Sequence, residues 1–233
     1  MNKLSVVIPL FNEEQNLRKL VDEIFSCLVN KYMFEIIFVN DGSTDRSVEV
    51  LEKLRNKHKN IFIINQDTNK GQSFSIYNGV HFSNYKSIVT LDADLQNDPK
   101  DIELLANFYF QNYPNYKLVG GIRNKRKDSI IKLISSKIAN KVRKLILNDK
   151  CDDTGCSLKV FDKSEFVKLP YFSGMHRFLP ALFLALNNQN FFLKVNHRHR
   201  VHGKSKYGTI DRLIKGIIDI FRVLIIKYKL NNG

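Results

Sequence analysis

Two carboxylates lie one residue apart in the segment LDADLQNDP, at the end of the short β-branched run SIVTL. If the strand continues through Asp92 and Asp94, their side chains point to the same side, because side chains alternate along a strand. Carboxylate oxygens at this spacing suit Mg²⁺ or Mn²⁺, which commonly carry a diphosphate. We therefore expect a metal site for a nucleotide diphosphate. The alternative is an acidic turn that ends a strand and caps the helix at Pro99.

The elements that position these carboxylates alternate between strands and helices. LSVVIPL is an apolar strand, and apolar residues recur at helical spacing over 17–28. FEIIFV predicts a second strand, after which a tight turn leaves Ser43 or Thr44 placed to cap a helix that reaches about His58. NIFIIN and KSIVTLDAD predict a third and a fourth strand. This order favours an α/β fold with a mainly parallel sheet flanked by helices.

Seven residues, six of them polar, fall at the carboxyl ends of three of these strands. They are Pro9, Asn12, Glu13, Asn40, Asp41, Asp92 and Asp94. Ligands of doubly wound sheets bind beyond the carboxyl ends of the strands, which meet at one edge. We therefore expect one crevice to collect these residues.

Several motifs, in order along nearly the whole chain, resemble the family-two glycosyltransferases with the GT-A fold. They are VVIPLFNEE, VNDGSTD, NKGQSFSIYNGV and LDADLQNDP. Three later segments, DTGCSLKVF, MHRFLPAL and HRHRVHGKSKYG, resemble the branch that acts on polyprenyl phosphates, the dolichyl-phosphate mannose synthase type. The resemblance implies an inverting, metal-dependent transfer of a hexose from a nucleotide sugar, GDP- or UDP-linked, to a polyprenyl phosphate.

The resemblance also implies which residues bind the donor. The nucleotide-sugar set is Pro9, Phe11, Glu13, Asn40, Asp41, Lys70, Gly71 and Asp92. The metal set is Asp92, Asp94 and Gln96, with Mg²⁺ or Mn²⁺ as the cofactor that neutralises the departing nucleoside diphosphate. Taken singly, Asp41 is also an ordinary turn residue, and Lys70 an ordinary solvated lysine.

Basic residues match the family's acceptor side. A polyprenyl monophosphate is ionised at neutral pH, so the displacement needs positioning and charge screening more than a general base. The acceptor-phosphate set is Arg123, Arg200, Ser205 and Lys206. The catalytic set is Asp94, Arg200, Asp153 and Arg123, with Asp153 near the sugar. His176 and Arg177 are expected to face the same site, unless their aromatic-rich segment is ordinary core.

The composition favours one domain and an anionic partner. The chain has 233 residues, 43% of them hydrophobic, and 37 Lys and Arg against 23 Asp and Glu give a formal net charge of +14. We divide it into a nucleotide-sugar-binding half (1–122), an acceptor-binding half (123–210) and a C-terminal amphipathic helix (211–233). The three cysteines have no metal-ligand spacing and are expected to be free thiols.

Two stretches, Lys125–Lys150 and Leu213–Leu230, combine an apolar stripe with a cationic face. Charged residues interrupt the second, so we expect no transmembrane span, and the N-terminus predicts no signal peptide. We expect a peripheral protein on the cytoplasmic face of the membrane, held by the lipid surface or a membrane-protein partner. Alternatively, both stripes pack on the sheet of a soluble protein.

Two other functions fit parts of the sequence. A GT-A enzyme that adds sugar to a glycan hydroxyl needs a carboxylate base, for which Asp153 is a candidate, although GKSKYG favours a phosphate acceptor. A nucleic-acid-binding protein would explain the charge of +14 and the 11% aromatic content, but not the carboxylates. We therefore expect no nucleic-acid partner.

Overall fold

The computed structural model describes residues 1–124, 143–200 and 209–232, with the side chains of the last helix described from 216 to 230. Most of the stretch Lys125–Lys150 and two acceptor-phosphate candidates, Ser205 and Lys206, lie outside the described residues. Among the helices of the described ranges, none has both the length and the apolar character needed to cross a membrane.

Strands and helices alternate through the first half of the chain. The strands are β1 (Lys3–Leu10), β2 (Met33–Asn40), β3 (Ile61–Asn65), β4 (Ser87–Thr90), β5 (Tyr116–Arg123), β6 (Lys159–Asp162) and β7 (Gln189–Val195). The helices are α1 (Leu17–Leu28), α2 (Ser47–Lys57), α3 (Gln72–Phe82), α4 (Lys100–Asn112), α5 (Lys163–Phe166), α6 (Leu179–Ala185) and α7 (Thr209–Asn232), and a 3₁₀ turn (Met175–Arg177) precedes α6. The amphipathic helix predicted at Leu213–Leu230 is confirmed as part of α7.

The described strands form one sheet in the order β3-β2-β1-β4-β6-β5-β7. β3, β2, β1 and β4 run parallel, and so do β5 and β7, whereas β6 is antiparallel to both of its neighbours. The prediction of a mainly parallel sheet flanked by helices is confirmed. The division of the chain at residue 122 stays a prediction.

Helices cover both faces of the sheet, so its central strands are apolar on both sides. Along β1, Val6 and Ile8 pack into one core, which includes residues of α1 and α4. Val7 packs into the other, which includes residues of α3 and α6. This alternation explains why β1 is a continuous apolar run rather than an alternating one.

Helix α3 approaches the sheet closely at Gly79, where an added Cβ atom would lie 2.5 Å from Cγ1 of Val7 and 3.0 Å from Cγ2 of Val39. We expect Gly79→Ala to lower the free energy of unfolding by about 1–3 kcal/mol, because the helix must move off the sheet. Urea unfolding measures this effect. Gly216→Ala in α7 is the control, since no atom lies within 4 Å of its added Cβ. Equal midpoints for Gly79→Ala and the parent would contradict the close packing.

The predicted cap of the second helix is wrong. Helix α2 begins at Ser47, whose N–H donates to the Asp45 carboxylate at 2.9 Å. Ser43 and Thr44 instead bond to Asn12 in the loop after β1. Ser43 and Thr44 therefore join two loops that are distant in sequence.

Candidate active site

The loops after β1 and β2 form the first wall of the crevice, where Leu10 pairs with Asn40 at the strand ends. The side-chain oxygen of Asn12 accepts the N–H of Thr44 at 2.7 Å, and the N–H of Glu13 donates to the Ser47 hydroxyl at 2.9 Å. Asn12 adopts a φ of 56°, a region that asparagine tolerates better than most residues. These bonds fix the two loops against each other.

The predicted nucleotide residues of the first strand lie at this wall. Pro9 is buried within β1, while Phe11 and Glu13 are half-buried in the loop that follows. The Glu13 carboxylate accepts the side-chain N–H of Asn16 at 2.6 Å. Glu13 therefore has a structural partner at the start of α1.

Asp41 joins this wall to the loop before α3. Its carboxylate accepts the backbone N–H of Lys70 at 2.7 Å and of Gly71 at 2.9 Å. Asn40 beside it accepts the N–H of Ser43 at 3.0 Å. The resemblance placed Asp41 in the nucleotide-sugar set, and in the structure its oxygens hold backbone groups of the chain.

The two residues before α3 differ in exposure and backbone conformation. Lys70 is exposed, and its Nζ lies 5.0 Å from the centre of the Phe74 ring. Gly71 adopts a φ of 90°, which L side chains rarely adopt, so glycine is required for this turn. The turn brings both residues to the amino end of α3, where helical N–H groups attract anions.

The acidic segment forms a turn and not a strand. Strand β4 ends at Thr90, so the expectation that Asp92 and Asp94 share one face of a strand is wrong. Leu95, with a φ of 60°, closes the turn, and the N–H of Gln96 donates to Asp94 at 3.1 Å. The turn nevertheless holds both carboxylates beyond the carboxyl end of β4.

The charge on Asp92 is unfavourable in its surroundings. Burial and the neighbouring charge of Asp94 raise the pKa of Asp92 to about 6, although Ser157, Lys159 and Arg123 act in the opposite direction. The side chain of Gln72 donates to Asp92 at 2.7 Å and fixes its orientation. Two oxygen ligands that repel each other suit a divalent cation, which would remove the repulsion.

No group of three or more His, Cys, Asp or Glu residues suited to a metal occurs in the part of the chain that the structure describes. The predicted ligands Asp92, Asp94 and Gln96 include two carboxylates and stay a prediction. This number fits Mg²⁺, which is usually bound through one or two carboxylates together with substrate phosphates. The residues present thus fit the predicted cofactor.

Arg200 contacts the acidic turn directly. Its guanidinium donates to the carboxylate of Asp94. The segment that carries it is held by Arg198, whose N–H donates to the carbonyl of Gln96 at 2.8 Å and whose guanidinium pairs with Glu23 at 2.6 Å and Asp98 at 2.7 Å. Arg200 therefore lies two residues beyond Arg198, which is anchored by three polar contacts.

Arg123 and Asp153 form a bidentate pair beside this turn. The guanidinium donates through Nε and Nη2 to the two carboxylate oxygens, each at 2.7 Å, and both side chains are largely buried. A Cβ atom at Gly155 would lie 2.7 Å from Nη2 of Arg123, so a side chain there would displace the guanidinium from its present position. The sequence predicted both residues for the site but did not predict that they bind each other.

His176 meets the amino end of α3 through Ser73. The Ser73 hydroxyl oxygen accepts the N–H of Gly174 at 2.9 Å and lies 2.5 Å from Nδ1 of His176. Burial, with the charges of Arg177 and Lys159, lowers the pKa of His176 to about 3, so its ring is neutral at physiological pH.

Sequence reasoning missed three polar residues of this region, namely Gln72, Ser73 and Lys159. Gln72 and Ser73 were inside a quoted motif, and the signal for them was their position in the first turn of the helix after Gly71. Lys159 opens β6, is buried, and donates to the carbonyl of Cys156. Its signal was a lysine directly before the apolar pair Val160 and Phe161.

The structure brings most of the predicted residues to one edge of the sheet. Asp92, Asp94, Arg123, Asp153 and Arg200 form a connected group of charges, and Ser205 and Lys206 lie outside the described residues. All three cysteines are buried free thiols, as predicted.

The family profile described as Glycosyl transferase family 2 matches residues 5–169. The chain is 34% identical over 237 residues to the dodecaprenyl-phosphate galacturonate synthase of Rhizobium johnstonii. The aligned region covers 99% of this chain and 69% of that protein. The chain is 32% identical over 223 residues to the undecaprenyl-phosphate 4-deoxy-4-formamido-L-arabinose transferase of Edwardsiella ictaluri, with coverage of 95% and 67%.

Solved structures with the same fold include two sugar transferases. Glucosyl-3-phosphoglycerate synthase from Mycobacterium tuberculosis, in complex with Mn²⁺, UDP and phosphoglyceric acid, gives a TM-score of 0.67 at 16% identity over 97% of this chain and 78% of that chain. Mannosyl-3-phosphoglycerate synthase from Rubrobacter xylanophilus gives 0.70 at 13% identity, with coverage of 95% and 73%. At identities this low, the similarity concerns the fold alone. The TM-scores confirm the predicted GT-A fold.

Proposed function

The chain belongs to glycosyl transferase family 2, and on this premise we propose that it transfers a sugar from a nucleotide sugar to a polyprenyl phosphate. The products are a polyprenyl-phosphate sugar and a nucleoside diphosphate. The two curated relatives are named for dodecaprenyl phosphate and undecaprenyl phosphate. In this chain, the observation that carries the proposal is the ion pair between Arg200 and Asp94, because it joins an acceptor-side arginine to the acidic turn.

On the donor side, we assign the acidic turn to the metal and the diphosphate. Asp92, Asp94 and Gln96 would hold Mg²⁺ or Mn²⁺, and Gln72 keeps Asp92 in place through its hydrogen bond of 2.7 Å. When bound, the ion supplies Lewis-acid stabilisation of the charge on the leaving nucleoside diphosphate. The nucleotide lies along the wall formed by Pro9, Phe11, Glu13, Asn40 and Asp41, with Lys70 and Gly71 near its phosphates.

On the acceptor side, Arg123 and Arg200 orient the polyprenyl phosphate, with Ser205 and Lys206 as further contacts. A phosphate monoester is ionised at neutral pH, so it attacks the anomeric carbon without a general base. The attack inverts the configuration at that carbon. Fixed guanidinium groups screen the repulsion between the acceptor phosphate and the donor diphosphate.

The glycan-hydroxyl alternative requires a carboxylate that removes a proton from the acceptor. The candidate was Asp153, whose two oxygens both accept N–H groups of Arg123 at 2.7 Å. A carboxylate held in this way suits an orienting role more than proton removal. The observed pair therefore favours a phosphate acceptor. The nucleic-acid-binding alternative is not needed, since the chain is a glycosyltransferase.

We also propose that the protein works at the cytoplasmic face of a membrane, as a peripheral protein or with a membrane-protein partner. Two considerations support this localisation. A polyprenyl phosphate is lipid-borne, and nucleotide sugars are cytoplasmic substrates. The enzyme must therefore bring a soluble donor to an acceptor that stays in the bilayer.

The proposal is tested by incubating the purified protein with Mn²⁺ or Mg²⁺, undecaprenyl phosphate and a panel of UDP- and GDP-linked sugars. Mass spectrometry is expected to detect a glycolipid whose mass equals the lipid phosphate plus one sugar residue. The names of the relatives carry galacturonate and a substituted arabinose, so the panel includes uronic acids and pentoses besides hexoses. Transfer to a soluble oligosaccharide, with no lipid product from any donor, would contradict the proposed acceptor.

A further inference from the structure

His176 lies at the crevice and has no role in the mechanism proposed above. The residue is half-buried in the turn before α6, and its Nδ1 lies 2.5 Å from the hydroxyl oxygen of Ser73. Ser73 is the second residue of α3, and the first, Gln72, donates to the Asp92 carboxylate at 2.7 Å. Lys159 is close enough for its charge to lower the pKa of both His176 and Asp92. The imidazole ring therefore belongs to the same region as the acidic turn.

The chemistry of this ring suits a neutral polar group. Burial, with the charges of Arg177 and Lys159, lowers the pKa of His176 to about 3. A ring that stays neutral does not pair with a phosphate as a cation, and at this pKa it is a poor base for an acceptor hydroxyl. It offers one donor and one acceptor nitrogen. Because a sugar hydroxyl both donates and accepts, it fits either tautomer of the ring.

One nitrogen of the ring is open to a ligand. Within residues 1–124, 143–200 and 209–232, no group hydrogen-bonds to Nε2 of His176, and this atom is not among the buried polar atoms without a partner. The residue as a whole is half-buried and not fully covered. Nε2 is therefore accessible, whereas Nδ1 is engaged by Ser73.

The turn that carries the ring is fixed by its neighbours. The N–H of Gly174, which adopts a φ of 101°, donates to the Ser73 hydroxyl at 2.9 Å. Met175 is 1% exposed, and Arg177 pairs with Asp219 at 3.3 Å. The residues on both sides of His176 are thus anchored. The ring is held in position before a ligand arrives, as a specific binding site requires.

The proposed reaction places the sugar in this region. The anomeric carbon passes from the donor diphosphate to the acceptor phosphate, so the sugar lies between them and beside the acidic turn. The side chains assigned there are charged and serve the metal and the phosphates. They are Asp92, Asp94, Arg123 and Arg200. His176 adds a neutral hydrogen-bonding group, of the kind that orients a bound ligand.

We propose that Nε2 of His176 hydrogen-bonds to one hydroxyl group of the transferred sugar and selects donors by the presence and configuration of that hydroxyl. The inference rests on the proposed function for the sugar donor and not for the acceptor. A site that hydrogen-bonds a hydroxyl discriminates against a sugar that lacks it, because the nitrogen is covered by the bound donor and left unpaired.

The test compares the binding of a nucleotide sugar with that of its nucleoside diphosphate, by calorimetric titration with Mg²⁺ and without acceptor. The probes are UDP, GDP and the UDP- and GDP-linked sugars of the donor panel. His176→Asn places an amide near the position of Nδ1, so it keeps a partner for Ser73 and loses Nε2. For the nucleotide sugar that the parent binds most tightly, we expect Kd to rise about tenfold. The Kd of its nucleoside diphosphate should change by less than about twofold.

Two further variants separate the sugar contact from support of the turn. His81→Asn is the matched control, because His81 lies on α3, is exposed, and has its Nδ1 2.9 Å from the carbonyl oxygen of Tyr77. It should leave both Kd values unchanged. His176→Gln carries its amide near the position of Nε2 and should recover part of the sugar affinity. Equal losses for nucleotide sugar and nucleoside diphosphate in His176→Asn would overturn the proposal, and so would unchanged values for both.

Deoxy analogues of the sugar identify the hydroxyl with the parent protein alone. We expect the parent to bind one deoxy analogue about tenfold more weakly than the full nucleotide sugar, and His176→Asn to bind the two equally. Equal binding of every deoxy analogue by the parent would overturn the proposal. Because these titrations use no acceptor, a failure to glycosylate polyprenyl phosphate would contradict the proposed acceptor and leave the sugar contact standing.

Discussion

Asp92→Asn is expected to lower kcat for sugar transfer by at least about 1,000-fold, equivalent to ~4 kcal/mol, and to make the metal-free protein more stable at neutral pH. The activity falls because a metal ligand loses its charge. Stability rises because the pKa of Asp92 is raised to about 6 by burial and by Asp94, so its ionised form is disfavoured in the folded state. Asparagine retains the acceptor for the hydrogen bond from Gln72, which preserves the turn.

The pH dependence of this stability gain follows from the direction of the pKa shift. Between the unfolded value near 3.8 and the folded value near 6, the folded protein binds more protons than the unfolded chain, so stability falls as pH rises through this window. The variant lacks this loss, so its free energy of unfolding should exceed that of the parent by about 1–3 kcal/mol above pH 7. Near pH 4 the two should converge.

Thermal or urea unfolding without added metal, at both pH values, measures the difference, and Asp22→Asn on the exposed face of α1 is the control. A gain of equal size at both pH values would show that the pKa of Asp92 is not its cause. Mn²⁺ should then raise the unfolding temperature of the parent and of the control but not of Asp92→Asn, since ligands that bind the folded state stabilise it.

The second large effect is expected for Arg200→Ala, which should lower kcat/KM for the polyprenyl phosphate about 100-fold while leaving nucleotide binding intact. Arg200 is the arginine that contacts Asp94, so its removal leaves the Asp94 carboxylate with one positive neighbour fewer. The affinity for Mn²⁺ with UDP should therefore stay equal or become tighter, because the cation no longer competes with a guanidinium for Asp94.

Steady-state kinetics with varied acceptor, together with calorimetric titration of UDP in the presence of Mn²⁺, separates these two effects. Arg200→Lys should recover part of the acceptor affinity, since lysine keeps the charge but not the planar fork of donors. Arg18→Ala, an exposed position on α1, controls for the loss of a positive charge. Equal losses in acceptor use and nucleotide binding would assign Arg200 a structural role in its loop.

The fold was predictable because its signals are local. The apolar run of β1 and the helical spacing of α1 follow one another, and the same order recurs for β2 and α2. Parallel strands with their carboxyl ends at one edge then place Asn40, Asp92 and Asp94 together, whatever the detailed geometry of their loops. Pattern and topology therefore sufficed for the location of the site.

The hydrogen-bond partners within the site were not predictable, because they join residues that are far apart in sequence. The residues next to Asp41 in the sequence make it an ordinary turn residue, yet its carboxylate binds the backbone N–H groups of Lys70 and Gly71. Ser73 and His176 are 103 positions apart and meet only when the segment before α6 packs on α3. Such pairs are fixed by tertiary packing, of which a single sequence carries no local signal.

The most direct test of the central claim is to follow both products of one reaction by phosphorus NMR. The reaction contains undecaprenyl phosphate and the nucleotide sugar found by the donor panel. Mg²⁺ is used in place of Mn²⁺, because Mn²⁺ broadens the lines. The account predicts that the lipid monoester signal is replaced by a phosphodiester signal while nucleoside diphosphate accumulates in equal amount. A diphosphate-linked lipid with release of nucleoside monophosphate would contradict it, because the acceptor would then have attacked phosphorus and not the anomeric carbon.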